Sequence, residues 1–106
     1  MKTRTAARKD ANHNELVNHW LSLLGTSWQE TYQIPAALDG IAGCNGIDQR
    51  IEIKDGDKPL SERRLSDSET KTIRNWTGRG PIVWENKDDV KLTWHVMRSE
   101  SRDNQR

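Results

Sequence analysis

At 106 residues the chain is long enough for one small domain, and with 32% hydrophobic against 31% charged residues it has little apolar material for a core. A net charge of +1 excludes a polycation that holds nucleic acid by bulk charge, and no apolar run approaches the ~20 residues of a membrane-spanning helix. The lone cysteine, Cys44, excludes an intrachain disulfide and a cysteine zinc cage. Five tryptophans (Trp20, Trp28, Trp76, Trp84, Trp94) and no Phe mean that indole rings must supply much of the buried area. A core this lean makes self-association a natural remedy. The first residues lack the apolar segment of a signal peptide, so a soluble intracellular protein is expected.

Residues 1–9 are polar and basic and read as a flexible arm. A helix is predicted over 11–24, with Leu16, Val17, Trp20, Leu21 and Leu24 on one face and Gly25 as its stop. Asn12 followed by Glu15 has the spacing of a capping box, so Glu15 admits two readings: a helix cap, or a carboxylate over the sheet. A first strand is predicted over 27–34, favoured by Trp28, Thr31 and Tyr32 and closed by Pro35.

The stretch 38–54, LDGIAGCNGIDQRIEIK, reads as two strands around Asn45-Gly46, a dipeptide suited to a type I′ turn because both positions need φ > 0. In the second strand Ile51 and Ile53 face one way, and Arg50, Glu52 and Lys54 the other. Pairing Cys44 with Ile47 and counting back sets Asp39 opposite Glu52. Opposed residues have Cβ atoms ~5 Å apart, and like charges there are destabilising. Two carboxylates beside a lysine therefore look like a site for a divalent cation, although alternating charges are also what a solvated sheet face carries.

Residues 55–65 form a polar loop with Lys58, Arg63 and Arg64. Ser66 and Glu69 form a second capping box, opening a helix to about residue 76 with Gly78 beyond it, and Leu65 is placed to staple its first turns. A short apolar strand follows over 81–85, able to lie parallel to the 47–54 strand after the helical crossover. A last helix is predicted from the Asn86 cap to about residue 98 with Val90, Trp94 and Met97 inward, then a polar tail over 99–106. The fold class is α/β, a mixed β-sheet flanked by helices in the order α-β-β-β-α-β-α, in one domain. His19 and His95 lack ligand-type spacing with each other.

Asp39, the twelve residues to Glu52 and the Glu52-Ile53-Lys54 triplet, behind a helix carrying Glu15, resemble the PD-(D/E)xK nuclease superfamily. Pro35 departs from the pattern by lying four residues before Asp39. The order RKDANHNELV, DG, IEIKDG, LSERRLSDSE and NKDD is similar to small stand-alone VRR-NUC proteins of phages and prophages. The spacing of Glu15, Asp39, Glu52 and Lys54 is similar to archaeal-type Holliday junction resolvases. His13 stands where relatives often carry Gln; a DNA contact or decoration of the helix start are both open, and decoration is favoured.

The resemblance implies a restriction-endonuclease-like core and a Mg²⁺-dependent endodeoxyribonuclease, with Mn²⁺ as substitute. Asp39, Glu52 and the Ile53 carbonyl would hold the ion, Glu15 would reach it through water, and Lys54 would act on the attacking water or the developing charge. Arg8, Lys58, Arg63 and Arg64 would contact phosphates. The expected substrate is branched duplex DNA, above all a four-way junction, cut by a homodimer whose two-fold axis matches that of the junction. The alternatives are a nuclease for linear ends or specific duplex sites, and a non-catalytic DNA-binding module. A cytoplasmic location is expected, that of a bacterial host if the protein is phage or prophage encoded, with no membrane partner.

Overall fold

Asn45 and Gly46 reverse the chain with φ of 58° and 78°, both positive as a type I′ loop requires. In the computed structural model, which describes residues 9–100, the elements are α1 (His13–Leu21), β1 (Thr26–Glu30), β2 (Gly40–Cys44), β3 (Ile47–Ile53), α2 (Asp67–Asn75), β4 (Ile82–Trp84) and α3 (Lys87–Ser99), with a 3₁₀ turn at Leu60–Glu62 in the polar loop. The order is the expected α-β-β-β-α-β-α. The sheet runs β1-β2-β3-β4, antiparallel through β3 and parallel between β3 and β4, across the crossover that contains α2. Cys44 pairs with Ile47 and Gly40 with Ile51, the register counted from the turn. The arm and the tail fall largely on residues 1–8 and 101–106, outside the described residues. Among the described residues no helix is long and apolar enough to cross a membrane.

Strand alternation splits the sheet into two unlike faces. Ala42, Cys44, Ile47, Ile51, Ile53 and Trp84 point to the side covered by α1 and α3, where they meet Leu16, Val17, Trp20, Val90 and Met97 in one core. Trp84 lies between Trp20 and Trp28, with its ring centroid 5.5 Å from each. Two core indole N–H groups find acceptors, Trp20 Nε1 donating to the Ser27 carbonyl and Trp84 Nε1 to Thr93 Oγ1, whereas Trp28 Nε1 is buried with no partner among the described residues. Not every tryptophan serves the core. Trp28 and Trp94 pack against its edge, whereas Trp76 is 43% exposed and lies under the Arg50 guanidinium, 4.1 Å from it.

The larger differences from the sequence-based expectation lie at both ends of α1 and at the end of β1. Helix α1 is shorter at both ends, and Leu21 and Leu24 are exposed. Thr26 Oγ1 donates to the carbonyls of Trp20 and Leu23, and this bends the chain out of the helix before Gly25. The α1 capping box does not form, because Asn12 makes no cap bond and donates instead to the carbonyls of Lys54 and Glu85. β1 stops at Glu30, since the Thr31 hydroxyl bonds the Leu38 carbonyl and the Ile34 N–H turns back to Thr31. By contrast the Ser66–Glu69 capping box of α2 is complete, and the Asn86 side chain caps α3.

Gly40 is where the hairpin passes under the Trp28 ring: a Cβ there would lie 2.1 Å from Trp28 Cζ2, whereas at Gly43 the nearest atom is 3.5 Å away. Gly40→Ala must therefore push the indole off its stack on Trp84, at a cost of about 1–3 kcal/mol. Gly43→Ala is expected to stay within about 0.5 kcal/mol of the parent. Thermal unfolding of the two variants side by side measures the difference, and equal melting temperatures would contradict this account of the core.

Candidate functional site

One step beyond the last β2–β3 pair, Asp39 faces Glu52. The Asp39 N–H donates to the Ile51 carbonyl (3.0 Å), and the Ile53 N–H donates to Asp39 Oδ2 (2.7 Å), so the carboxylate closes the ladder where the strands part. In an antiparallel pair the N–H and C=O of one residue point to the same neighbour. The Ile53 carbonyl is thereby directed to the Asp39 side. Glu52 is only 4% exposed, and Val83 of β4 is its partner across the parallel pairing.

The fourth member comes from α2. Lys54 Nζ donates to Glu69 Oε1 at 2.9 Å and lies 3.6 Å from Glu52 Oε2. Glu69 is the N3 residue of the Ser66 capping box, and the same Oε1 accepts the Ser66 N–H at 2.8 Å. The sequence shows this residue only as a cap. What it does not show is that the α2 crossover sets this helix end beside β3, so that a capping carboxylate also fixes the lysine.

The electrostatics follow from burial. Glu52 has its pKa pushed up to about 10, first by burial, then by the Asp39 charge and by hydrogen bonding to Glu69 and its charge; Lys54 opposes this without prevailing. Burial and the neighbouring carboxyls thus favour the protonated form of Glu52. Burial raises Asp39 as well, against the lowering effect of the Ile53 N–H. Burial works against the ionised Glu69 too, but Glu52, the Ser66 N–H and Lys54 outweigh it and hold the carboxyl below its usual range. For Lys54, burial is outweighed by Glu69 and Glu52, and its pKa is raised.

At its helix end the site departs from expectation. Glu15 is turned outward, 60% exposed, with Lys87 Nζ 3.4 Å from its Oε2; it neither caps α1 nor joins the cluster in these contacts. His13, favoured as a surface decoration, is instead buried: Nε2 lies 2.8 Å from Glu30 Oε1 and Nδ1 4.0 Å from Asp39 Oδ1. No local pattern marks Glu30 as its partner, because the contact is made across the gap between α1 and β1. Arg63 is committed to the fold, donating from Nε to the Lys58 carbonyl and pairing with Glu85 at 3.3 Å. Lys58 and Arg64 are exposed, and Arg8 lies outside the described residues.

The donor set of Asp39 Oδ1, Glu52 and the Ile53 carbonyl suits a hard divalent cation, and the burial and neighbouring carboxyls that raise the Glu52 pKa make this a place where a positive charge would be stabilising. The side chains approach one another pairwise: among the described residues no three His, Cys, Asp or Glu side chains form a ready-made metal cage. No family model, curated protein or solved structure matches the chain.

Because the folded-state pKa of Glu52 lies above the ordinary 4.5, the folded chain binds more protons than the unfolded one between about pH 4.5 and pH 10. Stability must therefore fall as pH rises through this window, by at most about 1.4 kcal/mol per pH unit for this one group. Melting temperatures in chelator are expected to drop from pH 5.5 to pH 8.5, and Glu52→Gln is expected to flatten the slope and melt higher at pH 8.5. A flat profile for the parent protein would show that Glu52 ionises freely.

Proposed function

We propose that the chain is a metal-dependent endodeoxyribonuclease built on a restriction-endonuclease-like core. The observation that carries the proposal is the buried Asp39–Glu52 pair at the open end of the hairpin, with Lys54 on the same side held by Glu69. The sheet order β1-β2-β3-β4 with a parallel fourth strand after a helical crossover agrees with such a core. Asp39, Glu52 and the Ile53 carbonyl would hold the cation. Once bound, a divalent ion supplies Lewis acidity toward a phosphate oxygen and lowers the pKa of a water molecule.

The remaining work falls to the chain's own groups. Lys54, kept protonated chiefly by Glu69, orients the attacking water and offsets charge developing on the phosphate. Glu69 is a positioning residue that acts through that ammonium. Lys58 and Arg64 are the exposed cations of the adjoining loop available to DNA phosphates. Arg63 shapes that loop through Lys58 and Glu85, so its loss would act on DNA through the loop's shape.

Purified protein with Mg²⁺ or Mn²⁺ is expected to nick DNA. Asp39→Ala and Glu52→Ala should abolish cleavage, Lys54→Ala should lose rate while retaining metal, and Glu69→Gln should lower kcat by roughly 10-fold or more through a loosened lysine. Glu15→Gln should cut like the parent, because its side chain points to Lys87. Cleavage by Glu52→Ala at the parental rate would remove the mechanism.

For the substrate, a four-way junction cut by a homodimer is the preferred proposal, since two identical sites match the two-fold symmetry of the junction. Exposed Leu92 and Val96, one turn apart on α3 and bordering an apolar groove of about 270 Å³ with Ile82 and Met97, support self-association. Light scattering should give twice the chain mass, falling to one chain with Val96→Glu. A cleavage panel should show paired nicks in junctions in preference to linear duplex. A monomer that cuts linear ends equally well would leave the nuclease and reject the junction; DNA binding without cleavage would favour the non-catalytic module.

A further inference from the structure

His13 is 1% exposed and its two ring nitrogens have different surroundings. Nε2 lies 2.8 Å from the Glu30 carboxylate, which places a proton on that nitrogen. Nδ1 is buried without a hydrogen-bond partner among the described residues and faces Asp39 Oδ1 across 4.0 Å. Asp39 Oδ2 accepts the Ile53 N–H and the carboxyl also hydrogen-bonds Glu52, while Oδ1 is the oxygen that faces the imidazole. A gap of 4.0 Å is too long for a direct hydrogen bond. It suits two donor atoms that share one cation, since bonds of about 2.0–2.2 Å set such atoms between roughly 3 and 4.3 Å apart. A carboxylate behind the imidazole, fixing tautomer and ring angle, is the usual outer partner of a metal-bound histidine, and Glu30 stands in that position.

We propose that His13 is a metal ligand through Nδ1, sharing the cation with Asp39, with Glu30 as its orienting carboxylate. The inference rests on the reading of Asp39 and Glu52 as a cation site, and it refines the metal. A mixed nitrogen and oxygen donor set favours a first-row transition dication over Mg²⁺, which prefers oxygen alone. It also explains how α1 serves the site although Glu15 is turned away: the contribution comes two residues earlier, from a nitrogen. The competing explanation is structural, with His13 only tying α1 to β1 through Glu30.

Mn²⁺ added to the full chain without DNA, followed by electron spin-echo spectroscopy, tests this directly. The expected spectrum carries ¹⁴N modulation from a coordinated imidazole. The modulation should vanish in His13→Gln, with Mn²⁺ affinity lowered about 10–100-fold and Mg²⁺ affinity changed less. Glu30→Gln should keep the modulation but bind Mn²⁺ more weakly. Persistence of the signal in a His19→Gln, His95→Gln double variant assigns it to His13 even where His13→Gln fails to fold. Bound Mn²⁺ with an oxygen-only spectrum would overturn the role of His13 and leave the Asp39–Glu52 site standing. No Mn²⁺ binding at all would overturn both. A His13→Gln variant that melts lower yet binds Mn²⁺ normally would return the imidazole to a structural role.

Discussion

Burying a carboxyl group between two other carboxyl groups costs free energy that a proton or a cation must offset, and Glu52 is in that position. The hairpin leaves it no escape. A type I′ loop at Asn45-Gly46 sets the register, the register opposes Asp39 and Glu52, and apolar packing beneath β3 keeps the strand in place. Ile51 and Ile53 are fully buried on the core face, so a one-residue slip would exchange them with Arg50 and Glu52. The same residues that hold the core together thus hold the acidic pair together.

The N-terminal end of α1 is tied to three strands at this point. Asn12 Nδ2 bonds carbonyls that follow β3 and β4, and His13 reaches Glu30 at the end of β1. These are polar contacts made by partly or fully buried groups, where a missing partner is costly. They also explain why Glu15, at the third helical position, points away from the sheet: with Asn12 and His13 facing inward, the turn carries Glu15 to the outer side.

Much of the central hairpin was legible in the sequence because strand alternation has period two, and an even loop preserves which residues share a face. The Ser66–Glu69 box was legible because both of its bonds are local. The Asn12–Glu15 pair has the same spacing and forms no box, since Asn12 finds long-range carbonyl acceptors. Local pattern alone does not separate the two cases. Nor did it reveal His13 or Glu69 as neighbours of the acidic pair, because both contacts depend on where helices dock. Helical periodicity likewise overextended the buried face to Leu21 and Leu24, where Thr26 diverts the chain.

Helix α2 is held differently from α1 and α3. It has no fully buried side chain, with Ile73 half-buried, and hydrogen bonds tie it to the rest: Glu69 to Lys54, and the Thr72 hydroxyl to the Ala36 carbonyl. Just past its end, Trp76 stacks on Arg50. An element with so little buried apolar surface belongs to the low-stability part of a fold. Yet it supplies the carboxylate nearest the lysine ammonium, so the position of Lys54 depends on a helix that hydrophobic packing barely fixes. The completed capping box is therefore more than helix stabilisation. By satisfying the Ser66 and Glu69 N–H groups at the helix start, it holds Glu69 rigid at the one point where α2 meets the buried carboxyls. Charge on that side chain then does what burial does elsewhere in the molecule, joining α2 to the sheet through Lys54.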